Sequence, residues 1–264
     1  MLLHIALFEI RYWLRSWMLW IFTFVVALMI FGAVSSDHIV VGAALTNTFH
    51  NAPYVIENYY AIIGLLSLLM VTAFVNSAAA RDFSYNTYQI IFSTPIKRLD
   101  FILGRFLGST IISVVPMTGV SIGILLAKYM PWVDPERWGP VVWSAHLKGI
   151  FVFAVPNTFF MAAILFTIAL LARNDIIAFV AGLLLLTGYG VSAALTQKLE
   201  HEQLAALLDP FAIRTFGLVT KYWTVAEKKY HDRRPQRPAP LEPLAVDRCR
   251  LRFPAFCLFA FQLC

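Results

Sequence analysis

The chain has 264 residues, of which 59% are hydrophobic and 14% charged, with a formal net charge of +6 and a mean hydropathy of +0.71. A soluble domain averages about 25% charged residues, so this composition excludes an ordinary water-exposed fold and points to an all-α, polytopic membrane helix bundle. The basic residues cluster between apolar runs, as the positive-inside rule orders them, and no aromatic-rich basic patch points to nucleic acid.

Residues 1–16 read as an amphipathic interfacial helix. Leu3, Ala6, Leu7, Ile10, Trp13, Leu14 and Trp17 recur at helical spacing, and His4, Arg11 and Arg15 fall on the other side. Tyr12, Trp13 and Trp17 suit the membrane–water boundary. Five full spans are then expected, at about 17–34, 59–80, 106–128, 147–171 and 176–196. Pro116 should kink the third, because proline removes a backbone donor. Arg11, Arg15, Arg81, Lys97, Arg98, Arg105 and Arg173 fall on one side, which the positive-inside rule makes the cytoplasm. The N-terminus is therefore expected to be cytoplasmic, in a bacterial inner membrane.

A segment at 197–229 is expected outside the membrane. Leu199, Leu204, Leu207 and Leu208 suggest a helix in it that stops near Asp209-Pro210. From Tyr230 the composition turns to proline and arginine, and the 230–264 tail reads as disordered. It carries Cys249, Cys257 and Cys264, whose spacing fits no zinc pattern. The tail is out of keeping with what precedes it. A truncation or frameshift after about Glu227 is the expectation, and another reading frame would then encode an apolar run of about 20 residues.

No ionisable residue falls in the middle of any of the five spans, which speaks against a proton-coupled carrier or ion pump. No phosphate-cradling Gly-rich loop, HExxH helix, nucleophile elbow or pair of catalytic carboxylates is visible. The chain is expected to be no enzyme, with no catalytic residue, cofactor or metal of its own. Polar residues inside the spans most often join helices; Asn76, Asn157 and Thr158 are the ones to consider as substrate contacts.

The longest polar interruption in the first half is 81–108, RDFSYNTYQIIFSTPIKRLDFILGRFLG. It resembles the first cytoplasmic loop of the permeases of ATP-binding-cassette type-2 (ABC-2) exporters. The resemblance rests on Arg81-Asp82, Thr87, Ile90-Ile91-Phe92, Ser93-Thr94-Pro95, Lys97-Arg98 and Gly104-Arg105. The opening FEIRYWLRS resembles the family's interfacial elbow helix, and DPFAIRTFGLVTKYWTVAEK resembles large bacterial permeases that in some cases carry a metallopeptidase domain. The likeness covers about residues 1–229.

The resemblance implies six spans, of which five are visible. It also implies a second permease chain and a separate ATP-binding subunit that carries ATP and magnesium. Residues 83–93 would form a coupling helix within the 81–105 loop. Arg81, Asp82, Phe83, Thr87, Ile91, Thr94, Pro95, Lys97, Arg98 and Arg105 would then couple the permease to the ATPase, with Lys97, Arg98 and Arg105 facing acidic groups or anionic lipid. The alternative from another class is a non-transporting membrane scaffold or sensor that binds a partner through its outside loops. The substrate is not legible.

Overall fold

A computed structural model describes residues 1–36, 48–85, 89, 93, 96–133, 135–172, 175–195, 209 and 211–230. Within them the chain is all-α. The helices are α1 (Leu2–Leu14), α2 (Trp17–Ser35), α3 (Pro53–Ser84), α4 (Arg98–Val114), α5 (Thr118–Ala127), α6 (Trp143–Lys148), α7 (Val155–Ala172), α8 (Asp175–Leu195), α9 (Ile213–Thr220) and α10 (Val225–Tyr230). Five helical stretches are long and apolar enough to cross a membrane: Trp17–Ser35, Pro53–Ser84, Arg98–Ala127, Trp143–Ala172 and Ile176–Ala194. The protein is a multi-pass membrane bundle, as its composition requires.

The second, third and fourth spans outrun the sequence expectation. Pro53 opens α3 at the first helical position, where its missing N–H costs nothing. The far end of α3 runs past Ala80 because Arg81 and Asp82 find partners inside the protein. Pro116 acts as expected: a 3₁₀ turn at Val115–Met117 separates α4 from α5. Pro156 has a less obvious effect. A π-helical segment, Gly149–Ala154, lies directly before it, between α6 and α7. Proline cannot donate to the carbonyl four residues back, and the wider turn absorbs that lost bond.

α3 is the hub. It packs against α4, α5, α6, α7 and α8, and 67% of its most apolar window is buried, against 33% for the first span and 11% for the fifth. The first and fifth spans therefore present most of their surface outward from the described bundle. The third span holds two neighbours through two Gly-x-x-x-Gly pairs. A Cβ on Gly119 would lie 2.7 Å from the Thr23 carbonyl oxygen, and one on Gly123 would lie 2.5 Å from that of Ala27. Only glycine lets α5 come this close to α2. Gly104 and Gly108 do the same for α1. A Cβ there would lie 2.9 Å from the Leu2 carbonyl oxygen and 2.8 Å from that of Ala6. Small residues at this spacing are the usual device for close helix contact in lipid, where no hydrophobic drive separates one apolar surface from another.

The apolar stripe of α1 is divided between the protein and the surface. Ala6, Glu9 and Trp13 are buried, whereas Leu3, Leu7, Leu14 and Trp17 are exposed. Part of the apolar stripe faces away from the protein, and a carboxylate goes in beside Ala6 and Trp13. Trp13 likewise leaves the boundary for the core, edge-on to Phe74 at 4.9 Å.

The segment after α8 also departs from expectation. The helix suggested by Leu199–Leu208 and the tail beyond Tyr230 lie outside the described residues. From Asp209 the chain returns into the bundle. Phe211 is 1% exposed among α3, α7 and α8, edge-on to Tyr189 and against Gly64. Phe216 stacks on Tyr54 and meets Phe153. Gly64 lies in the interior of α3 and Asn157 in the interior of the fourth span, so this turn re-enters the bundle.

Candidate functional site: a charged clamp at the root of the polar loop

Four ionisable side chains meet where α1, the end of α3 and the start of the third span converge. Glu9 is fully buried. Arg81 Nη2 donates to Glu9 Oε1 at 2.5 Å, and Arg105 Nη1 lies 3.6 Å from the same oxygen. Arg105 Nη2 donates to the Asp82 carboxylate at 2.8 Å, and its Nη1 donates to the Ala78 carbonyl at 2.7 Å. Both guanidiniums also cover rings. Arg81 sits 4.5 Å from the centre of Tyr12, and Arg105 sits 4.7 Å from that of Phe101.

The local sequence explains the convergence. Arg81 and Asp82 are neighbours on one helix and so diverge by about 100° around its axis. One reaches α1, the other α4. Gly104 and Gly108 bracket Arg105 by one residue and three, so the backbone approach that buries α1 also brings Glu9 within reach of both arginines. Burial pushes the Glu9 carboxyl above the ordinary carboxylate range; the guanidiniums of Arg81 and then Arg105 pull it back. Two carboxylates and two guanidiniums make a neutral network. Desolvating each ion costs several kcal/mol, and only such mutual pairing offsets that. The hydrogen-bonding capacity is not exhausted. Glu9 Oε2, Trp13 Nε1 and Arg81 Nη1 are buried and find no hydrogen-bond partner among the described residues.

The expected coupling residues divide into two groups. Arg81, Asp82 and Arg105 join the clamp. Arg105 is 7% exposed, which corrects the expectation that it faces a partner or lipid: its charge is spent inside. Phe83 is half-buried at the end of α3, and Lys97 and Arg98 are exposed beyond the clamp. Thr87, Ile91, Thr94 and Pro95 lie outside the described residues. Glu9 is the member that sequence reasoning missed, since a lone acid in an amphipathic helix carries no signal of burial. The Gly104–Gly108 spacing was the visible clue.

The three intramembrane candidates lie elsewhere. Asn76 is 6% exposed and Thr158 fully buried; Thr158 Oγ1 has no hydrogen-bond partner among the described residues. Asn157 Nδ2 donates to the Phe211 carbonyl at 3.1 Å. It holds the re-entrant turn and supplies the hydrogen bond that an irregular carbonyl at this depth needs. Among the described residues, no group of three His, Cys, Asp or Glu side chains converges as a metal site.

Comparison with protein-family models, characterised proteins and solved structures finds no match.

Proposed function

We propose that the chain is the permease subunit of an ATP-driven ABC-2-type exporter, with the 81–105 loop as the contact for a separate ATP-binding subunit. One observation carries this reading. The loop is rooted in a neutral, buried clamp that fastens α3, α4 and α1 together, while Lys97 and Arg98 stand exposed beyond it. A push on such a loop reaches two spans and the interfacial helix at once, because the clamp leaves no slack between them. Arg81, Asp82 and Arg105 are then positioning residues, and Lys97 and Arg98 offer charge to an acidic surface. In this reading the loop end is cytoplasmic, the membrane is the bacterial inner membrane, and a second permease chain completes the pathway. ATP and magnesium belong to the partner.

The test is capture from the host membrane in mild detergent, read by mass spectrometry. The wild-type chain is expected to bring down an ATP-binding-cassette subunit. The Lys97→Glu/Arg98→Glu double variant should lose it while staying inserted and folded. Capture of no ATPase by the stable wild-type chain would overturn the reading and favour a scaffold or sensor. Undiminished capture by the double variant would remove the loop's assigned role.

A further inference from the structure

At the end of the bundle opposite the clamp, three polar side chains from three spans meet in a line. Tyr60 Oη of α3 lies 2.7 Å from Ser121 Oγ of α5, and that oxygen lies 2.8 Å from His146 Nδ1 of α6. Tyr60 is fully buried and His146 is 4% exposed. Gly149, the first residue of the π-helical segment, lies against the Tyr60 ring with no room for a Cβ. Such π segments recur at functional sites. The line is thus a polar seam tying the second, third and fourth spans together.

One donor order uses every hydroxyl hydrogen in the seam. Tyr60 and Ser121 each hold one hydroxyl hydrogen. Both are used only if Tyr60 donates to Ser121 and Ser121 donates to Nδ1. That arrangement requires a bare Nδ1, so the imidazole is neutral with its hydrogen on Nε2.

A second proton on the ring changes this. Nδ1–H then points at Ser121 Oγ, and one hydroxyl hydrogen in the line loses its acceptor. No carboxylate belongs to the line to balance the cation. The elements packed here carry Glu57 one turn from Tyr60, Lys128 at the end of α5 and Lys148 at the end of α6, with His50, Glu136 and Arg137 in the adjoining loops and Glu227, Lys228 and Lys229 on α10. The imidazole is 4% exposed, and burial without a carboxylate partner in the line opposes added positive charge.

We propose that Tyr60, Ser121 and His146 form a proton-sensitive latch, so that acid on this side of the membrane loosens the seam between α3, α5 and α6. The latch does not depend on the chain being a transporter.

Hydrogen exchange of the full chain in lipid nanodiscs tests it, at neutral and mildly acidic pH, with rates corrected for intrinsic pH dependence. The wild type is expected to lose protection roughly tenfold over 117–127 and 143–154 on acidification, the scale of one lost buried partner. His146→Gln, which cannot gain a charge, should keep the same protection at both values. Ser121→Ala breaks the line without touching the imidazole and should be loosened at both. Wild-type protection that ignores pH would overturn the latch. So would a His146→Gln chain that follows the wild type. Should the Gln variant fail to fold, a Ser121→Ala chain that still loosens only in acid would overturn it equally.

Discussion

Glu9 is the residue on which the clamp end depends. It is fully buried and faces two arginines, so removing its charge strands both guanidiniums in a poorly solvated place. Breaking a buried pair from one side costs about 3–5 kcal/mol, more than the pair itself contributes. Glu9→Gln should therefore lower the thermal stability of the purified protein sharply. Adding Arg81→Gln to it should recover part of the loss, since the stranded charge goes with it. A Glu9→Gln melt that matches the wild type would mean the pair is unstrained and solvated.

Ala212 is a second residue with a definite expectation. Its φ of 60° places it in the left-handed region, where it caps α9. Asp209 supports the turn by accepting from the Phe211 and Arg214 backbone N–H groups at 3.0 and 2.6 Å. A left-handed alanine costs about 1–2 kcal/mol and glycine does not. Ala212→Gly should raise stability by roughly 1 kcal/mol, less whatever the unfolded chain gains in freedom. A lower melting temperature for this variant would show that the entropy term dominates.

At the scale of elements, the third span is two docking surfaces end to end. Its first half receives α1 through Gly104 and Gly108, and its second half receives α2 through Gly119 and Gly123. The 3₁₀ turn at Pro116 divides the two. A Cβ on Gly108 would lie 2.7 Å from that of Glu9. Gly108→Leu should thus push α1 off and open the clamp, at a cost of about 1–3 kcal/mol from overpacking. Gly123→Leu should displace α2 and leave the clamp whole. Cysteine cross-linking between α1 and α4 separates the two outcomes: it should fail in the first variant and persist in the second.

The re-entrant segment is the other element with a readable support. Asn157→Leu keeps the side-chain volume and deprives the Phe211 carbonyl of its donor. The orphaned group costs about 1–3 kcal/mol, so residues 209–230 should become sensitive to protease while the five spans stay protected. Unaltered cleavage would show that Phe211 packing alone holds the turn.

At the scale of the molecule, the bundle has two differently built ends. One is fixed by charge, with Glu9, Arg81, Asp82 and Arg105 as a neutral network. The other carries neutral hydrogen bonds, in Tyr60–Ser121–His146 and in the Asn51 side chain that both donates to the Gly139 carbonyl and accepts from its N–H, at 2.7 and 2.8 Å, beside lysines stacked on Tyr54 and Phe49. α3 runs between them and carries a member of each. An α3 that transmits displacement from one end to the other suits the proposed exporter. The expectation is that charge reversal at Lys97 and Arg98 alters exchange near the loop first. At neutral pH, exchange at the histidine end should change when an ATPase is bound.

The sequence by itself determined the helical class, the five apolar runs and the polar loop between the second and third. These follow from local sums of side-chain transfer energy and from helix length, which need no knowledge of neighbours. It also held the two Gly-x-x-x-Gly pairs, legible as close-contact faces but silent about which helix each receives. Tertiary structure alone decided the rest. Glu9 meets Arg81 across 72 residues of chain and Asn157 meets Phe211 across 54. A buried acid and an exposed acid look the same in a pattern of polar and apolar letters; what separates them is whether a partner arrives to offset desolvation. The same holds for α1. Its apolar stripe had to face some greasy surface, and in a membrane the lipid competes with the protein for that role. The glycines of the third span settled the contest by letting the face of Ala6, Glu9 and Trp13 come closer.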